Sequence, residues 1–399
     1  MLAPLVLWLP ELPCCSSLGH RWRWPVRRLQ LPTSPTVLGP ASAERSIDEL
    51  APGEQPKTSR PRGPRVPRPR PREGRCAGGA SDDLEFVSGD VTVNRVIEQE
   101  APFFDAFEFF PTLTPEILDE NRAWLQPTYF DATNRLILCI QSYLVRTPRH
   151  AILIDTCVGN HKRRPRRPFW DMMTSDRYEA TLAATGLAVG DIDYVMCTHL
   201  HVDHVGWNTR LADGRWIPTF PRAMYLFATR ELDYWTSRQR DDPEGCPWIT
   251  DSVLPIVEAK RADLVTSDHE LDDLVRLIPT PGHTIDHYSV QVGKPGSDAI
   301  ITGDMIHTPL QARYPELGMF ADYDTPQAAR TRRDLFGRIC GTPTLLCTAH
   351  FPSPSTGRIV CRGNAFDFVP ARRQRSWPVR DTGGGRWGQL EGGRSPTVG

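Results

Sequence analysis

The sequence predicts an α/β fold in which buried strands end at metal-binding side chains. The first observation is an apolar, β-prone run at 193–197, which is typical of a buried strand. It leads directly into Thr198-His199-Leu200-His201-Val202-Asp203-His204, where three histidines and one carboxylate lie within six residues. Imidazole at this density and spacing is typical of metal binding. The second observation is that strand-like and helix-like segments alternate toward the C-terminus.

Three later apolar runs also end at a candidate ligand. The run 274–278 leads into a turn-rich loop that contains His283, the run 299–302 ends at Asp304, and the run 344–349 ends at His350. In α/β folds the strand ends open into the crevices where sites form. We therefore predict one metal site with these ligands: His199, His201, Asp203, His204, His283, Asp304 and His350.

The segments around these strands predict a hairpin and two helices. The runs 136–145 and 151–154 flank a turn at 147–150 and predict a hairpin. Helices are predicted over 178–184, where Gly186 follows, and over 230–237.

With this order of motifs, the sequence resembles the metallo-β-lactamase superfamily of metallohydrolases. The resemblance includes the run 151–156, which is similar to the family's first motif, a strand ending in an aspartate, here Asp155. It covers roughly residues 83–370. It implies a four-layer αβ/βα sandwich with the site along one edge of the two sheets.

The resemblance also implies how the seven ligands divide between two ions. The first ion would be bound by His199, His201 and His283, the second by Asp203, His204 and His350, and Asp304 would bridge them. Imidazole and carboxylate ligands suit Zn²⁺, Mn²⁺ or Fe²⁺, and ligand type alone does not choose among these metals. The prediction is two divalent metal ions, with Zn²⁺ as the first choice and Mn²⁺ or Fe²⁺ as alternatives.

Two ions in such a site imply hydrolysis, because together they hold a nucleophilic hydroxide and polarise the substrate oxygen. We therefore expect a dinuclear metal-dependent hydrolase that uses a metal-bridging hydroxide on an ester-like bond, such as a phosphotriester or a lactone. Asp203 and His307 are the catalytic candidates. The segment 303–307 departs from the quorum-quenching lactonases of the family, which carry a tyrosine where this chain has His307. It is more similar to the organophosphate-hydrolase-like branch.

Two other functions stay open. An iron-dependent persulfide dioxygenase is similar in fold, but it uses one metal and fewer ligands, so the complete set of seven argues against it. A non-catalytic metal-binding member of the family is the other alternative. Such members usually lack ligands, and none is missing here.

Several residues near the ligands have more than one possible role. Asp155 either orients the ligands, as Thr198 and Thr284 could also do, or caps and braces its loop. His307 either donates a proton or a hydrogen bond to the reacting groups, or packs beside Asp304 in support. His287 is predicted to be a packed or hydrogen-bonded histidine and not a ligand.

A basic loop at 159–170 follows the Asp155 strand and is predicted to overhang the metals. Its charges could attract an anionic substrate, while Phe169, Trp170 and Trp207 could form an apolar wall. A solvated basic loop with no binding role is the alternative.

Composition narrows the class of protein. The 399 residues have a net charge of −1, so the overall charge does not indicate nucleic-acid binding. No apolar run is long enough to span a membrane. Ten scattered cysteines indicate buried thiols in a reducing compartment rather than a disulfide framework. We predict a cytoplasmic enzyme for a small-molecule substrate, without a nucleic-acid or membrane partner. The sequence does not predict the oligomeric state.

The domain organisation follows from composition. Residues 1–82 are rich in Pro and Arg and are predicted to be disordered, 83–370 form the hydrolase domain, and 371–399 form a disordered tail. Alternatives for the first segment are a basic polyproline arm or a translation start assigned too early.

Overall fold

A computed structural model describes residues 84–371. The segments 1–82 and 371–399, which the sequence predicts to be disordered, lie outside the described residues, apart from Ala371.

The strands are β1 Leu84–Ser88, β2 Val91–Asp105, β3 Arg135–Arg146, β4 Ala151–Ile154, β5 Tyr194–Met196, β6 Thr209–Ala212, β7 Arg215–Pro218, β8 Met224–Ala228, β9 Ala262–Val265, β10 Val275–Pro279, β11 Tyr288–Lys294, β12 Ser297–Ile301, β13 Leu345–Cys347, β14 Thr356–Arg362 and β15 Ala365–Pro370. The helices are α1 Ala106–Phe109, α2 Pro115–Leu125, α3 Arg177–Ala184, α4 Thr229–Asp241, α5 Leu254–Glu258, α6 Leu310–Arg313 and α7 Thr325–Ile339.

Two large sheets form the centre of the fold. The first has seven strands in the order β1-β2-β3-β4-β5-β8-β9, and the second has six in the order β10-β11-β12-β13-β14-β15. The strands β4, β5, β8 and β9 pair in parallel, as do β12 and β13. The predicted hairpin is confirmed, because β3 pairs antiparallel with β4. The short antiparallel pair β6 and β7 stands apart from both sheets.

The sheets pack face to face, and helices cover their outer faces. On β4, Ile152 and Ile154 belong to the core between the sheets, whereas Leu153 belongs to the outer core that includes helix residues. This alternation is the period of a strand buried on both faces. Helices α3 and α4 contact the first sheet at β2 and β8, and α7 contacts the second at β14. The predicted four-layer αβ/βα sandwich is therefore confirmed.

The cysteines that the structure describes follow the prediction of buried thiols, with one disulfide as the exception. Cys340, at the end of α7, forms a disulfide with Cys361 on β14, whereas Cys139, Cys157, Cys197, Cys246 and Cys347 are free and buried. The pair is separated by 21 residues in the sequence, and only the packing of α7 on the second sheet brings it together. Within residues 84–371, no helix is long and apolar enough to cross a membrane.

The basic loop between β4 and α3 is anchored by a buried ion cluster. Arg164 donates two hydrogen bonds to the Asp251 carboxylate, at 2.7 and 2.9 Å. Lys162 Nζ lies 3.5 Å from the same carboxylate, donates to Thr209 Oγ1 at 2.8 Å, and stands 3.8 Å from the centre of the Trp216 ring. Lys162 is costly to charge because its side chain is fully buried and because Arg164, which is already paired with Asp251, repels a second positive charge.

We expect Lys162 to make stability rise with pH. Burial lowers the pKa of Lys162 to about 7, from an ordinary value of 10.5, although Asp251 opposes the shift. Between these two values the unfolded chain binds a proton that the folded chain does not, so unfolding becomes less favourable as pH rises. The free energy of unfolding of the wild type should therefore rise relative to that of Lys162→Met from pH 7 to 10. The rise should be at most about 1.4 kcal/mol per pH unit.

Urea unfolding of both proteins at equal metal content measures this difference. Lys294→Met, which replaces an exposed lysine, is the matched control. A difference between wild type and Lys162→Met that stays constant across this pH range would contradict the assignment of a neutral buried amine.

Candidate metal centre

Seven side chains converge at one edge of the two sheets, where strands β5, β10, β12 and β13 end. The segment 199–204 follows β5, and His283 lies in the loop after β10. Asp304 follows β12 in a single 3₁₀ turn, and His350 follows β13. Because β12 and β13 run in parallel, their carboxyl ends lie side by side. All seven predicted ligands are thus brought together by the fold in two groups, and within each group the donor atoms lie within 4.8 Å of one another. His307 forms a third group of this kind with Asp304 and His350.

Asp304 lies between the two groups, with one carboxylate oxygen toward each. Its Oδ2 is 3.2 Å from His283 Nε2 and 3.6 Å from His199 Nε2. Its Oδ1 is 3.0 Å from His204 Nε2 and 2.8 Å from His350 Nε2. A carboxylate with this placement can serve two cations at once, so the geometry fits the role that the resemblance implied for Asp304.

The remaining two members complete the groups. His201 Nδ1 lies 2.9 Å from His283 Nε2. Asp203 places Oδ1 at 3.9 Å from His204 Nε2 and Oδ2 at 3.7 Å from His350 Nε2. Of the seven side chains, His201 and Asp203 are half-buried and the other five are buried. His201 and Asp203 also line the adjoining cavity, so the site opens on their side.

Gly303 allows the chain to reach Asp304 at this point. Its φ is +52°, and a Cβ there would lie 2.6 Å from both His287 Nε2 and Thr198 Oγ1. A side chain is therefore excluded by conformation and by space together. This close approach brings Asp304 N within 3.0 Å of His287 Nε2, which accepts its hydrogen bond.

The hydrogen bonds of His204 and His350 show that a cation fits between them. His350 Nδ1 must donate to the carbonyl oxygen of Cys139, at 3.0 Å, since a carbonyl only accepts. His204 Nδ1 donates to Asp155 Oδ2 at 2.9 Å. In the neutral rings both Nε2 atoms are then lone-pair acceptors, yet they face each other at 3.2 Å. A proton or a metal ion is required between them, and the carboxylates of Asp203 and Asp304 are in place around it.

His199 gives a second indication of metal fit. Its Nδ1 contacts Thr198 Oγ1 at 3.1 Å, while its Nε2 is buried and has no hydrogen-bond partner in the described part of the chain. A buried ring nitrogen without a partner is costly unless an ion occupies the space in front of it. The donor set of imidazoles and carboxylates suits Zn²⁺, Mn²⁺ or Fe²⁺.

The ionisation of the centre is set by burial and by the central carboxylates. Burial, helped by the neighbouring imidazoles, holds the pKa of His199 and His201 well below the usual value. Burial also acts against the charged form of His204, but Asp304, Asp155 and Asp203 outweigh it and raise its pKa. The surrounding histidines in turn hold the pKa of Asp304 well below its usual range despite its burial. The centre is therefore built to hold positive charge around Asp304.

Asp155 has both of the roles that the sequence left open. It orients His204 through the Nδ1 contact, and its Oδ1 accepts a hydrogen bond from Thr198 N at 2.7 Å. It therefore connects β4 to the loop that carries His199 and His201. The residue has a positive φ of 59°, which turns the chain sharply at the end of the strand. Thr284, the third candidate for orienting ligands, is buried next to His283.

Two supporting carboxylates were not found from the sequence. Asp322 Oδ1 lies 3.0 Å from His283 Nδ1, and its side chain is fully buried. Together with Asp304 it raises the pKa of His283 to about 9, although burial alone would lower it. Glu231 accepts hydrogen bonds from Leu200 N at 3.3 Å, from Asp286 N at 3.1 Å and from Trp235 Nε1 at 2.7 Å.

Glu231 thereby connects the two loops that carry the ligands of the first group. Burial raises its pKa, as expected of a carboxylate on the buried face of a helix, here α4. No local pattern marks either Asp322 or Glu231, because their partners lie far away in the sequence.

The two other histidines near the centre occupy different places. His287 is buried, contacts Thr280 Oγ1 at 2.8 Å through Nδ1, and belongs to neither ligand group. His307 Nε2 lies 3.1 Å from Asp304 Oδ2, and the His307 ring stacks on His350 with 5.4 Å between centroids. His307 also lines the cavity, so it lies at the border of the centre as the sequence suggested.

A cavity of about 260 Å³ opens onto the half-buried side of the centre. Its walls include Phe104, Phe109, Trp170, Trp235, Trp248 and Phe320, together with side chains of the basic loop. The loop does overhang the site, and Trp170 does line the cavity. Phe169 packs at the edge of this aromatic wall, 5.2 Å from Phe103. The prediction that Trp207 belongs to the wall is wrong, since it is buried elsewhere, stacked on Tyr178 and donating to Glu98.

Comparison with known proteins gives a family and a set of distant relatives. The metallo-beta-lactamase superfamily model matches residues 140–350. The N-acyl homoserine lactonase of Bacillus cereus is 24% identical over 206 residues, which are 49% of this chain and 74% of that protein. An N-acyl homoserine lactonase of a Bacillus species is 28% identical over 170 residues, or 39% of this chain and 59% of that protein.

Solved structures extend the likeness over about three quarters of the chain. The hydrolase AbOPH of the beta lactamase superfamily superposes with a TM-score of 0.60 at 22% identity, over 74% of this chain and 99% of that one. The dizinc quorum-quenching lactonase AidC, with a bound product, gives 0.57 at 18% identity, over 73% and 98%. At this identity the likeness concerns the fold. The family match, in contrast, covers more than half of the 399 residues. The chain therefore belongs to the metallo-beta-lactamase superfamily, which confirms the predicted family and the general class of metal-dependent hydrolase.

Proposed function

We propose that the protein hydrolyses a small ester-like substrate, a lactone or a related ester, with two divalent metal ions, Zn²⁺ being the first choice. The observation that carries this proposal is Asp304, whose two oxygens face two separate groups of ligands. The names of the Bacillus relatives, N-acyl homoserine lactonases, support a lactone or carboxylic ester ahead of a phosphotriester.

His199, His201 and His283 would hold one ion, Asp203, His204 and His350 would hold the other, and Asp304 would contact both. When bound, such a pair lowers the pKa of a water molecule and polarises the substrate oxygen. No serine or cysteine nucleophile is then needed, and the free cysteines of the described part are indeed buried.

The side chains at the mouth of the centre bind and orient the substrate. The aromatic wall takes the apolar part of the substrate and excludes water from the site. Asp203 is half-buried at the cavity surface, where its carboxylate can accept a proton from the attacking water. His307 also lines the cavity, and its Nε2 donates a hydrogen bond either to Asp304 Oδ2 or to the substrate oxygen on which charge develops.

The complete pair of ligand groups favours this function over the one-metal dioxygenase. The aromatic-walled cavity beside the centre favours an enzyme over a protein that only binds metal. We also propose residues 83–370 as the catalytic unit, since all seven ligands, His307 and both cores lie within this range.

The first prediction from this proposal concerns metal content. The full chain, purified without chelators and then supplied with Zn²⁺ or Mn²⁺, should contain close to two ions, measured by elemental analysis. Asp304→Ala removes a donor from both groups, so it should lower retention of both ions and abolish turnover. A stoichiometry of one that added metal cannot raise would count against the dinuclear centre and in favour of the dioxygenase alternative.

The second prediction concerns the reaction. Metal-loaded protein should hydrolyse aryl esters or lactones faster than aryl phosphotriesters, thioesters or β-lactams in a common panel, with Asp304→Ala as the inactive control. The same panel run on residues 83–370 tests the proposed catalytic unit. The proposal fails if neither the aryl esters nor the lactones are turned over by protein that holds both ions.

The third prediction concerns His307. Replacement by Phe removes the Nε2 donor but keeps a ring against His350, and it should lower kcat about 10²- to 10³-fold, the size expected for an oxyanion donor. Replacement by Gln keeps a donor and should restore most of the loss. Metal content, measured in parallel, should be unchanged in both variants. If kcat falls equally in the two variants, or if either variant loses metal, His307 does not act on the substrate and only supports Asp304.

A further inference from the structure

The basic loop above the cavity contains four arginines, and three of them have carboxylate partners. Arg163 lies 3.6 Å from Asp171, Arg164 forms the buried pair with Asp251, and Arg166 lies 3.9 Å from Asp242. Within the described residues, Arg167 has no carboxylate partner, and its Nη1 donates only to the carbonyl oxygen of Arg166, at 3.0 Å. Four of its five N–H donors are therefore left for solvent or a ligand.

Arg167 is held at the cavity wall by aromatic rings. Its guanidinium carbon lies 5.9 Å from the centre of the Phe104 ring and 5.7 Å from that of Phe320. The side chain is half-buried, and it lines the same cavity as His201 and Asp304. Ring faces attract a guanidinium but do not neutralise it, so its charge remains available to an anion in the cavity.

The other charged side chains on this wall do not compete for that role. Arg164 is committed to Asp251, and Arg166 is exposed and faces Asp242. Glu244, the acidic wall residue outside the ligand groups, is exposed, whereas Arg167 is partly shielded from water. A partly shielded charge interacts more strongly with a ligand than an exposed one.

The loop holds Arg167 in a fixed position. The buried cluster of Lys162, Arg164 and Asp251 anchors one side of the arginine, and Trp170 is buried three residues after it. The backbone turns at this point through the hydrogen bonds of Arg167 N to Arg164 O and of Trp170 N to Arg167 O, at 2.7 and 2.8 Å. An arginine on an anchored loop loses less freedom when it binds a ligand than one on a free loop.

We propose that Arg167 selects substrates that carry a carboxylate on the acyl arm, away from the bond that is cleaved. This inference rests on the proposed ester hydrolysis and adds the chemical class of the substrate. The apolar part of the arm lies along the aromatic wall, and the terminal carboxylate pairs with the guanidinium of Arg167. A planar guanidinium can donate two parallel hydrogen bonds to a carboxylate, which gives direction as well as affinity.

A matched pair of substrates tests this assignment. The 4-nitrophenyl ester of hexanoic acid and the 4-nitrophenyl monoester of adipic acid differ only in the terminal carboxylate. Arg167→Met should lower kcat/KM for the adipate ester about 10- to 100-fold, the range of a charge-assisted hydrogen bond, and should change the hexanoate ester less than about threefold. Arg163→Met, which replaces an exposed arginine of the same loop, is the control. It should leave kcat/KM unchanged for both esters.

Ionic strength gives a second test that needs no variant. Added NaCl should lower kcat/KM of the wild type for the adipate ester more than for the hexanoate ester, because the pair with Arg167 is screened. Equal effects of Arg167→Met on both esters, or a wild type without preference for the adipate ester, would overturn the proposal. Turnover of the hexanoate ester by the wild type establishes ester hydrolysis independently of Arg167.

Binding separates this inference from the proposed activity. Tryptophan fluorescence can report occupancy of the cavity, since Trp170, Trp235 and Trp248 line it. In the full chain as purified, adipate should bind more weakly to Arg167→Met than to wild type or Arg163→Met. If no ester is hydrolysed but this difference is present, the proposed function fails and the carboxylate site stands. If the three proteins bind adipate equally, the carboxylate site fails.

Discussion

The arrangement of the centre depends on one buried carboxylate, that of Asp304. A charge removed from water needs compensating charges or hydrogen bonds at short range. Here four histidine nitrogens lie within 3.2 Å of its oxygens, and His199 lies slightly farther away. The same crowding forces the ring nitrogens of His204 and His350 toward each other. A site of this kind is stable when cations share the space, because they supply the charge that the carboxylate and the facing lone pairs require.

The loops around the centre are held by further buried carboxylates. Irregular loops lack the repeating hydrogen bonds of a sheet, so their buried N–H groups need other acceptors. Glu98 accepts from Val158 N and Gly159 N, Asp155 accepts from Thr198 N, and Glu231 accepts from Leu200 N and Asp286 N. Each acid joins segments that are distant in sequence. The geometry of the centre is therefore held by these carboxylates as much as by the strands.

The chemistry and the selectivity of the site come from different parts of the chain. The donor atoms lie on loops at the ends of strands, at one edge of the two sheets. The cavity wall is built from the end of β2 and α1, from the loop after β4, from α4 and the segment that follows it, and from the segment around Phe320. Changes in that wall can alter which substrate is held without moving a ligand. The anchored loop with Arg167 belongs to this second, adaptable part.

The sequence by itself determined the fold family, and it singled out the seven candidate ligands that the fold brings together. Both are local signals: an apolar run that ends at His199, Asp304 or His350 is visible in a few residues, and their order along the chain is specific. The sequence did not determine which buried side chains contact those residues. Asp322, Glu231 and the Cys340–Cys361 disulfide join positions whose proximity exists only after the helices dock on the sheets. The same holds for the wall of the cavity. Trp207 and Trp170 look alike in the sequence, yet one is buried against Tyr178 and the other faces the site, because the packing of each loop decides which side of a tryptophan is covered.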